Sequence, residues 1–276
     1  SLASAILLRV VGDGVGDCGI EVMNVHPVNG GVTELLWTLV HWLGMRNLGL
    51  IVNGLIPGYG QMHWAAGPSL GTQGPRIAFT FDDAVGSNAV EFLSFLDFLD
   101  EQKVVVTFFV IANNYSVGDR QQHILKEIVV RGHEVGNHGL EDSAMFHMDV
   151  KDFDDAISKW EDRVAPIIWP WPRHQQDWKW FRPPKGLMSS PMSDVLAKRG
   201  YSAVLGDIYA DDWLVDDRDY HVGLIRSVAC DGSVVILHIG KEGRERRTTD
   251  ILSVAIPALR SRGFTFVRLT DLFSTD

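Results

Sequence analysis

The feature that most limits what this chain can become is an alternation of short apolar runs with amphipathic segments, beginning at Arg76. Residues 77–81 are a brief apolar run that ends in two aspartates, Asp82 and Asp83. Ser87 or Asn88 can then cap a helix whose Leu93, Leu96 and Leu99 recur at helical spacing. Residues 104–111 are continuously β-branched and aromatic, as expected of a strand buried on both faces. A helix is predicted over 122–131, ended by Gly132, and a weak strand over 134–136. Phe153, Ala156, Ile157 and Trp160 fall at i, i+3, i+4 and i+7, the apolar stripe of another helix. Further strands are predicted over 178–181, 201–205, 234–237 and 264–267, with a helix stripe of Leu252, Ala255, Ile256 and Leu259 between the last two. Strands joined through helices pair in parallel, since each crossover returns the chain to the same end of the sheet. The expected class is α/β, with a parallel sheet or barrel.

Bulk properties narrow the function. The chain has 276 residues, 46% of them hydrophobic and 22% charged, enough for a substantial core. Its net charge of −10, with no long basic run, argues against a nucleic-acid partner, whose phosphates need a positive surface. The short cluster Arg244, Arg246 and Arg247 reads as the solvated start of a helix. Cys18 and Cys230 sit in no metal-ligand or redox spacing. Residues 1–75 are glycine-rich with weak periodicity, and form an N-terminal extension of uncertain structure ahead of a domain over 76–276. Residues 35–56 are apolar, but Arg46, Asn47, Asn53 and several glycines interrupt them, so they read as a packing segment rather than a membrane span.

Five of the strand candidates lead into distinctive polar residues. Asp82 and Asp83 follow the first, Asn137 and His138 the weak strand, Arg182 the strand at 178–181, Asp207, Asp211 and Asp212 the next, and His238 the strand at 234–237. In (β/α) barrels catalytic groups sit at the carboxy-terminal ends of strands, so five coincidences point to one convergent site. Each has a duller explanation alone: an Asp-Asp turn, a hydrogen-bonded structural histidine, a surface arginine before Pro183-Pro184, a histidine capping a strand. In extended backbone Asp82 and Asp83 point to opposite sides, so one can bind a metal while the other serves as a base. His138 and Asp142 are four apart and share a face on a helical turn. Asp83, His138 and Asp142 would supply three nitrogen or oxygen ligands, the number a catalytic zinc site keeps. Trp169, Trp171, Trp178 and Trp180 suggest a sugar-stacking surface, though packing of a strand and loop is the commoner reason for such tryptophans.

These residues resemble the polysaccharide deacetylases, carbohydrate esterase family 4, over about 200 residues from Arg76 to Phe273. Thr80-Phe81-Asp82-Asp83 carries the family's first motif unchanged. Gly132 to His138, Phe181-Arg182-Pro183-Pro184-Lys185-Gly186, a weaker Asp207 to Trp213, and Ile236-Leu237-His238 follow in order. The resemblance implies a distorted (β/α) barrel of about seven parallel strands. It implies a metal-dependent hydrolase that removes N-acetyl groups from a chitin- or peptidoglycan-like polymer. It casts Asp82 as the base, His238 as the acid, Arg182 as the group that orients the base, and Asp212 as the residue that tunes His238. The backbone N–H of Lys185 would help hold the oxyanion. Asp83, His138 and Asp142 would hold one divalent ion, zinc first, with cobalt, manganese or nickel as alternatives. Three departures stand out: Asp142 replaces a usual second histidine, Lys185 a common aromatic, and Ile239 the aspartate that usually follows the acid. No signal peptide is visible, and a secreted or cell-wall-associated protein is what the resemblance favours. The alternatives are a hydrolase of another non-peptide carbon–nitrogen bond, or a non-catalytic glycan-binding relative.

Overall fold

The structure, a computed structural model, describes residues 45–68, 74–86, 88–113, 119–168 and 179–274. Its frame is a parallel sheet. The strands are β1 (Arg76–Ala84), β2 (Thr107–Val110), β3 (Glu134–Asn137), β4 (Lys179–Phe181), β5 (Tyr201–Ala203), β6 (Ile208–Tyr209), β7 (Ser233–His238) and β8 (Thr265–Phe266). Seven run in the order β5-β4-β3-β2-β1-β7-β6, and β8 pairs with the start of β1. Every pairing is parallel, and the sheet curls into a distorted (β/α) barrel. Register then decides where the polar residues meet. Asp82 lies beside His238 across β1 and β7, and Asn137 beside Phe181 across β3 and β4. The residues just past these strands therefore emerge at one end of the barrel.

Helices cover the outside: α1 (Met45–Leu55), α2 (Ala89–Gln102), α3 (Asp119–Val130), α4 (Val150–Ile168), α5 (Ser190–Lys198), α6 (Arg218–Val228), α7 (Arg244–Ser261) and α8 (Leu269–Phe273). Asn88 caps α2 by accepting a hydrogen bond from the Glu91 amide, while Ser87 lies outside the described residues. The predicted stripes are buried except at Leu93 of α2, which is partly buried: Leu96 and Leu99 of α2, Phe153, Ala156, Ile157 and Trp160 of α4, and Leu252, Ala255, Ile256 and Leu259 of α7. Phe81, Phe92, Phe95 and Phe108 form the aromatic centre between β1, β2 and α2.

Some elements differ from the periodic reading. β6 is two residues long and α5 and α6 occupy stretches with no clear stripe, because such short pieces hold too few positions to show a period. Residues 138–142 form an irregular loop, not a helical turn, and Gly139 takes a left-handed φ of 77° within it. Trp180 is buried, its indole N–H donating to Thr270 Oγ1 at 3.1 Å, so it packs rather than presents a sugar-stacking face. Trp169, Trp171 and Trp178 lie outside the described residues.

The segment ahead of β1 is part of the packing. Tyr59, Met62 and Trp64 join a core cluster with Phe153, Met192 and Tyr201. His63 forms a parallel bridge with Val204: its N–H donates to Ala203 O (2.9 Å) and its carbonyl accepts from the Leu205 N–H (2.8 Å). Three residues on, the Ala66 N–H donates to Gly232 O at 2.8 Å, just before β7. This segment thus runs from the β5 edge to the foot of β7. Among the described residues no helix is long and apolar enough to cross a membrane.

Gly136 in β3 gives a direct test of the packing. A Cβ there would lie 2.6 Å from the Phe109 ring, and Phe109 in turn carries the Arg182 guanidinium 4.1 Å above its centroid. Gly136→Ala is expected to lower unfolding free energy by about 1–3 kcal/mol through overpacking, measured by urea denaturation; an unchanged midpoint would show that Phe109 yields freely.

Candidate active site

The site begins with a defect in β1. Its register against β2 shifts between Phe81 and Ala84, and Asp83 has a φ of 65°, rare for a residue with a side chain. Continuous extended backbone would send Asp82 and Asp83 to opposite sides. The bulge instead brings both carboxylates into one cavity, each with an oxygen 3.8 Å from His138 Nε2. Gly240 lies against the bulge, where a Cβ would sit 2.1 Å from the Asp83 carbonyl oxygen.

Asp82 is matched to Arg182, which follows β4. The guanidinium is 1% exposed and nearly saturated with acceptors. Nη1 donates to Asp82 Oδ1 and to Thr80 Oγ1, both at 2.7 Å. Nη2 donates to Leu205 O at 2.8 Å, and Nε to Val204 O at 3.3 Å. Burial pushes the Asp82 carboxyl toward the neutral form, but Arg182, His138 and His238 outweigh it and hold its pKa below the ordinary carboxylate value. Asp83 has no such clamp. Burial, with the charges of Asp142 and Asp82 adding to it, raises its pKa against the pull of His138 and His238. Among the described residues the guanidinium that touches it is that of Arg244, with Nη1 3.4 Å from Asp83 Oδ2.

His138 is turned by its own neighbour in the site. Nδ1 lies 2.8 Å from the Arg182 carbonyl oxygen, which can only accept, so this nitrogen carries the proton. In the neutral imidazole Nε2 is then left with a lone pair facing Asp82 and Asp83. A metal-binding histidine needs this tautomer and this kind of support on its far nitrogen.

His238, at the end of β7, has a different partner. Asp212 Oδ1 lies 2.7 Å from His238 Nδ1, and Asp212 Oδ2 accepts the His238 backbone N–H at 2.7 Å. Burial lowers the pKa of His238, but the bond to Asp212 and the charges of Asp212, Asp82 and Asp83 win, so it lies above the usual histidine value. Asp207, another buried aspartate of this stretch, accepts from Ser233 Oγ (3.0 Å) and the Val234 N–H (2.7 Å), a structural tie between the β5–β6 loop and β7.

Asp82, Asp83, His138, Arg182 and His238 line a cavity of about 430 Å³. Asp142 and Lys185 also line it, and bond to one another: Lys185 Nζ to Asp142 Oδ2 is 2.7 Å. Lys185 has a left-handed φ of 61°. Asp83 and His138 fit a divalent ion by donor type and by the tautomer of His138. Among the described residues, however, no three His, Cys, Asp or Glu side chains are gathered closely enough to hold one, and Asp142 is turned to Lys185. The structure thus brings the expected ligand set together only in part.

Other contributors, Tyr209, Leu205 and Trp64, were not singled out from sequence as site residues; they line the cavity together with Trp213 of the fourth motif, which is half exposed. The reading of Arg244, Arg246 and Arg247 as a solvated helix start fits Arg246 alone. Arg244 reaches Asp83, and Arg247 donates to the Asp212 carbonyl at 2.6 Å. Three cations in the first turn of α7 oppose the helix dipole, a signal that they have partners elsewhere.

Known proteins share this arrangement of chain. The sequence is 31% identical over 206 residues to a chitooligosaccharide deacetylase of Sinorhizobium fredii, covering 71% of this chain and 91% of that protein. It is 27% identical over 205 residues to a peptidoglycan-N-acetylglucosamine deacetylase of Bacillus cereus, covering 71% and 87%. Among solved structures, a family 4 acetyl xylan esterase from Clostridium thermocellum, in complex with a cobalt ion, superposes with a TM-score of 0.62 at 29% identity, over 72% of this chain and 90% of that one. The family profile described as polysaccharide deacetylase matches residues 70–204, and with these relatives it shows that the chain belongs to the polysaccharide deacetylase family.

Proposed function

We propose that this protein is a metal-dependent deacetylase that hydrolyses the N-acetyl amide of an acetylated glycan, of the chitin or peptidoglycan kind. The observation that carries the reading is the pairing of Asp82 with His238 across β1 and β7 in one cavity, each pushed away from its ordinary pKa in the direction its role requires. Asp83 and His138 would hold the divalent ion, with Asp142 as third ligand once it leaves Lys185; zinc is the first choice, and cobalt, manganese or nickel suit the same donors. A divalent ion there supplies Lewis acidity, making water a nucleophile at neutral pH and polarising the acyl oxygen.

The chain's own groups do the rest. Asp82, kept ionised and aligned by Arg182, accepts a proton from the attacking water. The Lys185 backbone N–H donates to the oxyanion that forms on the acyl carbon. Expelling a glycan nitrogen as an anion is prohibitive, so it needs a proton as the carbon–nitrogen bond breaks. His238 Nε2 gives that proton, while Nδ1–H stays bonded to Asp212. The products are acetate and a free amino sugar. Hydrolysis of an O-acetyl ester is the second reading, supported by the acetyl xylan esterase likeness.

Four experiments test this assignment. Asp82→Asn is expected to reduce turnover on N-acetylated chito-oligosaccharides by a factor of about 100 or more, with zinc affinity nearly intact by calorimetry; unchanged turnover removes Asp82 from the mechanism. Asp142→His is expected to keep or increase zinc affinity, whereas a loss of about tenfold or more would exclude position 142 from the ligand set.

His238 is tested by substrate and by pH. An alkoxide leaves with less help than an amine. His238→Ala should therefore damage N-acetyl hydrolysis more than hydrolysis of an activated acetate ester, and equal losses would mean a structural role. The acid works only while protonated. Its raised pKa places the alkaline limb of the kcat profile above the usual histidine value. Asp212→Asn removes the group that raises it and should move that limb to lower pH; a limb that stays put would assign it to another residue.

A further inference from the structure

The charges that line the cavity at the barrel end do not cancel. Arg182 is matched to Asp82 and Lys185 to Asp142, both at 2.7 Å. Two further cations, Lys241 and Arg244, line the same cavity, and among the described lining residues the carboxylate left for them is Asp83. Arg244 Nη1 meets it at 3.4 Å, well beyond the roughly 2.7–2.9 Å of a charge-assisted hydrogen bond. That is the one hydrogen bond of the Arg244 side chain among the described residues, although a guanidinium carries several N–H donors. Lys241 is exposed, and among the described residues its ammonium has no hydrogen-bond or ion-pair partner. On a chain of net charge −10 this corner of the cavity is a local reversal of sign.

The backbone that carries these two side chains is fixed. The Ile239 N–H donates to the Asp82 carbonyl at 3.1 Å, and Gly240 presses on the Asp83 carbonyl. The Gly240 N–H donates to Glu245 Oε1 at 3.0 Å, the Gly243 N–H to Glu91 Oε2 at 3.2 Å, and the Arg244 N–H to the Lys241 carbonyl at 3.0 Å. The loop after β7 is thereby tied to the β1 bulge and to α7. The next cations of α7 are engaged elsewhere, Arg246 with Glu91 and Arg247 with Asp216 and the Asp212 carbonyl. Arg244 opens α7, where the helix dipole disfavours a cation, so helix stability does not account for it. Two positive heads thus stand beside Asp83 on a fixed loop, with donors to spare.

We propose that Lys241 and Arg244 are specificity-determining residues that receive a carboxylate carried by the glycan, so that the preferred substrate is an acidic N-acetylated glycan rather than a neutral one. This rests on the deacetylase reading above and narrows its substrate class. The hydroxyls, ring oxygens and amides of a neutral sugar give a cation nothing charged to meet, whereas a carboxylate matches a guanidinium fork and an ammonium together. The cavity, about 430 Å³, admits a short stretch of glycan, so the carboxylate sits on the acetylated sugar itself or on its immediate neighbour. If the two cations served only to balance Asp83, acidic and neutral glycans would be treated alike.

The test uses two N-acetylated oligosaccharides, each paired with its own methyl ester. One carries a 3-O-lactyl carboxylate on the acetylated sugar, the other a uronic acid as its neighbour. Acetate release gives kcat/KM, and calorimetry with a chelator present to stop turnover gives Kd. The full chain is expected to favour at least one acid over its ester by about tenfold or more. Preference for the lactyl compound places the carboxylate on the acetylated sugar, preference for the uronic acid places it on the neighbour, and either upholds the proposal. Arg244→Gln is expected to cut the acid-to-ester ratio by about tenfold, and Lys241→Gln, at an exposed position, by about threefold. The ratio is taken within each variant, so a general loss from the Arg244 contact with Asp83 cancels. A parent ratio within about twofold of one for both pairs overturns the proposal, and so does a ratio unchanged in both folded variants. Should Arg244→Gln unfold, Lys241→Glu decides: a ratio that drops upholds the carboxylate site, and an unchanged one overturns it. If the parent releases acetate from none of the glycans, the deacetylase reading fails on its own. A calorimetric acid-to-ester preference that falls in Lys241→Gln still upholds the site, and no preference overturns it.

Discussion

The ion pair of Arg182 and Asp82 is the interaction around which the rest of the barrel end is arranged. Taking a guanidinium out of water costs on the order of several kcal/mol unless its donors are met. Here they are met by the Asp82 carboxylate, the Thr80 hydroxyl and the carbonyls of Val204 and Leu205, with Phe109 closing one face. Those acceptors come from β1 and from the end of β5, while the arginine itself follows β4 and Phe109 comes from β2. Four strands therefore have to be in register for one side chain to be satisfied. The reverse also holds: once the strands are in register, the arginine has a single low-energy position, and so does the carboxylate it holds. The alignment of Asp82 follows from the need to satisfy a buried charge.

A second constraint acts on the same strand. β1 could not deliver two adjacent carboxylates to one cavity as a regular strand, because successive side chains alternate. The bulge and the positive φ at Asp83 solve this at a cost in backbone energy of about 1–3 kcal/mol. Gly240 permits the solution, since the loop after β7 passes so close to the Asp83 carbonyl that no side chain fits there. Local strain, the glycine in the facing loop and the convergence of Asp82, Asp83 and His138 are one feature seen from three sides.

Much of this was legible in sequence, for reasons that can be named. Parallel strands buried on both faces leave unbroken apolar runs, so β1, β2 and β7 were readable, and the polar residues after them marked the end of the barrel that carries the site. The stripes of α2, α4 and α7 were readable because each spans several turns. What escaped depends on chain geometry rather than on residue type. The shared direction of Asp82 and Asp83 needs a bulge that no local pattern announces. The Asp142–Lys185 pair joins residues 43 apart on two loops, and each looks solvated on its own. Trp64 sits in a glycine-rich stretch without periodicity, where only the bridge to Val204 reveals that the chain has returned to the sheet.

The chemistry rests on a contrast that the fold creates between two buried groups. Desolvation alone would neutralise both, raising a carboxyl and lowering an imidazole, and would leave neither a base nor an acid. Arg182 reverses that outcome for Asp82, and Asp212 reverses it for His238. The two supporting residues come from different loops, after β4 and after β6, and do not compete. Asp82 and His238 themselves are neighbours in register, so each also favours the charged form of the other. A carboxylate whose charged form is favoured thus stands beside an imidazole whose charged form is favoured, the two states that the proposed amide hydrolysis would call on. Asp83, one residue from Asp82 and without a guanidinium partner of that strength, has its charged form disfavoured by burial and by the neighbouring carboxylates Asp142 and Asp82, a cost that the proposed divalent cation would relieve.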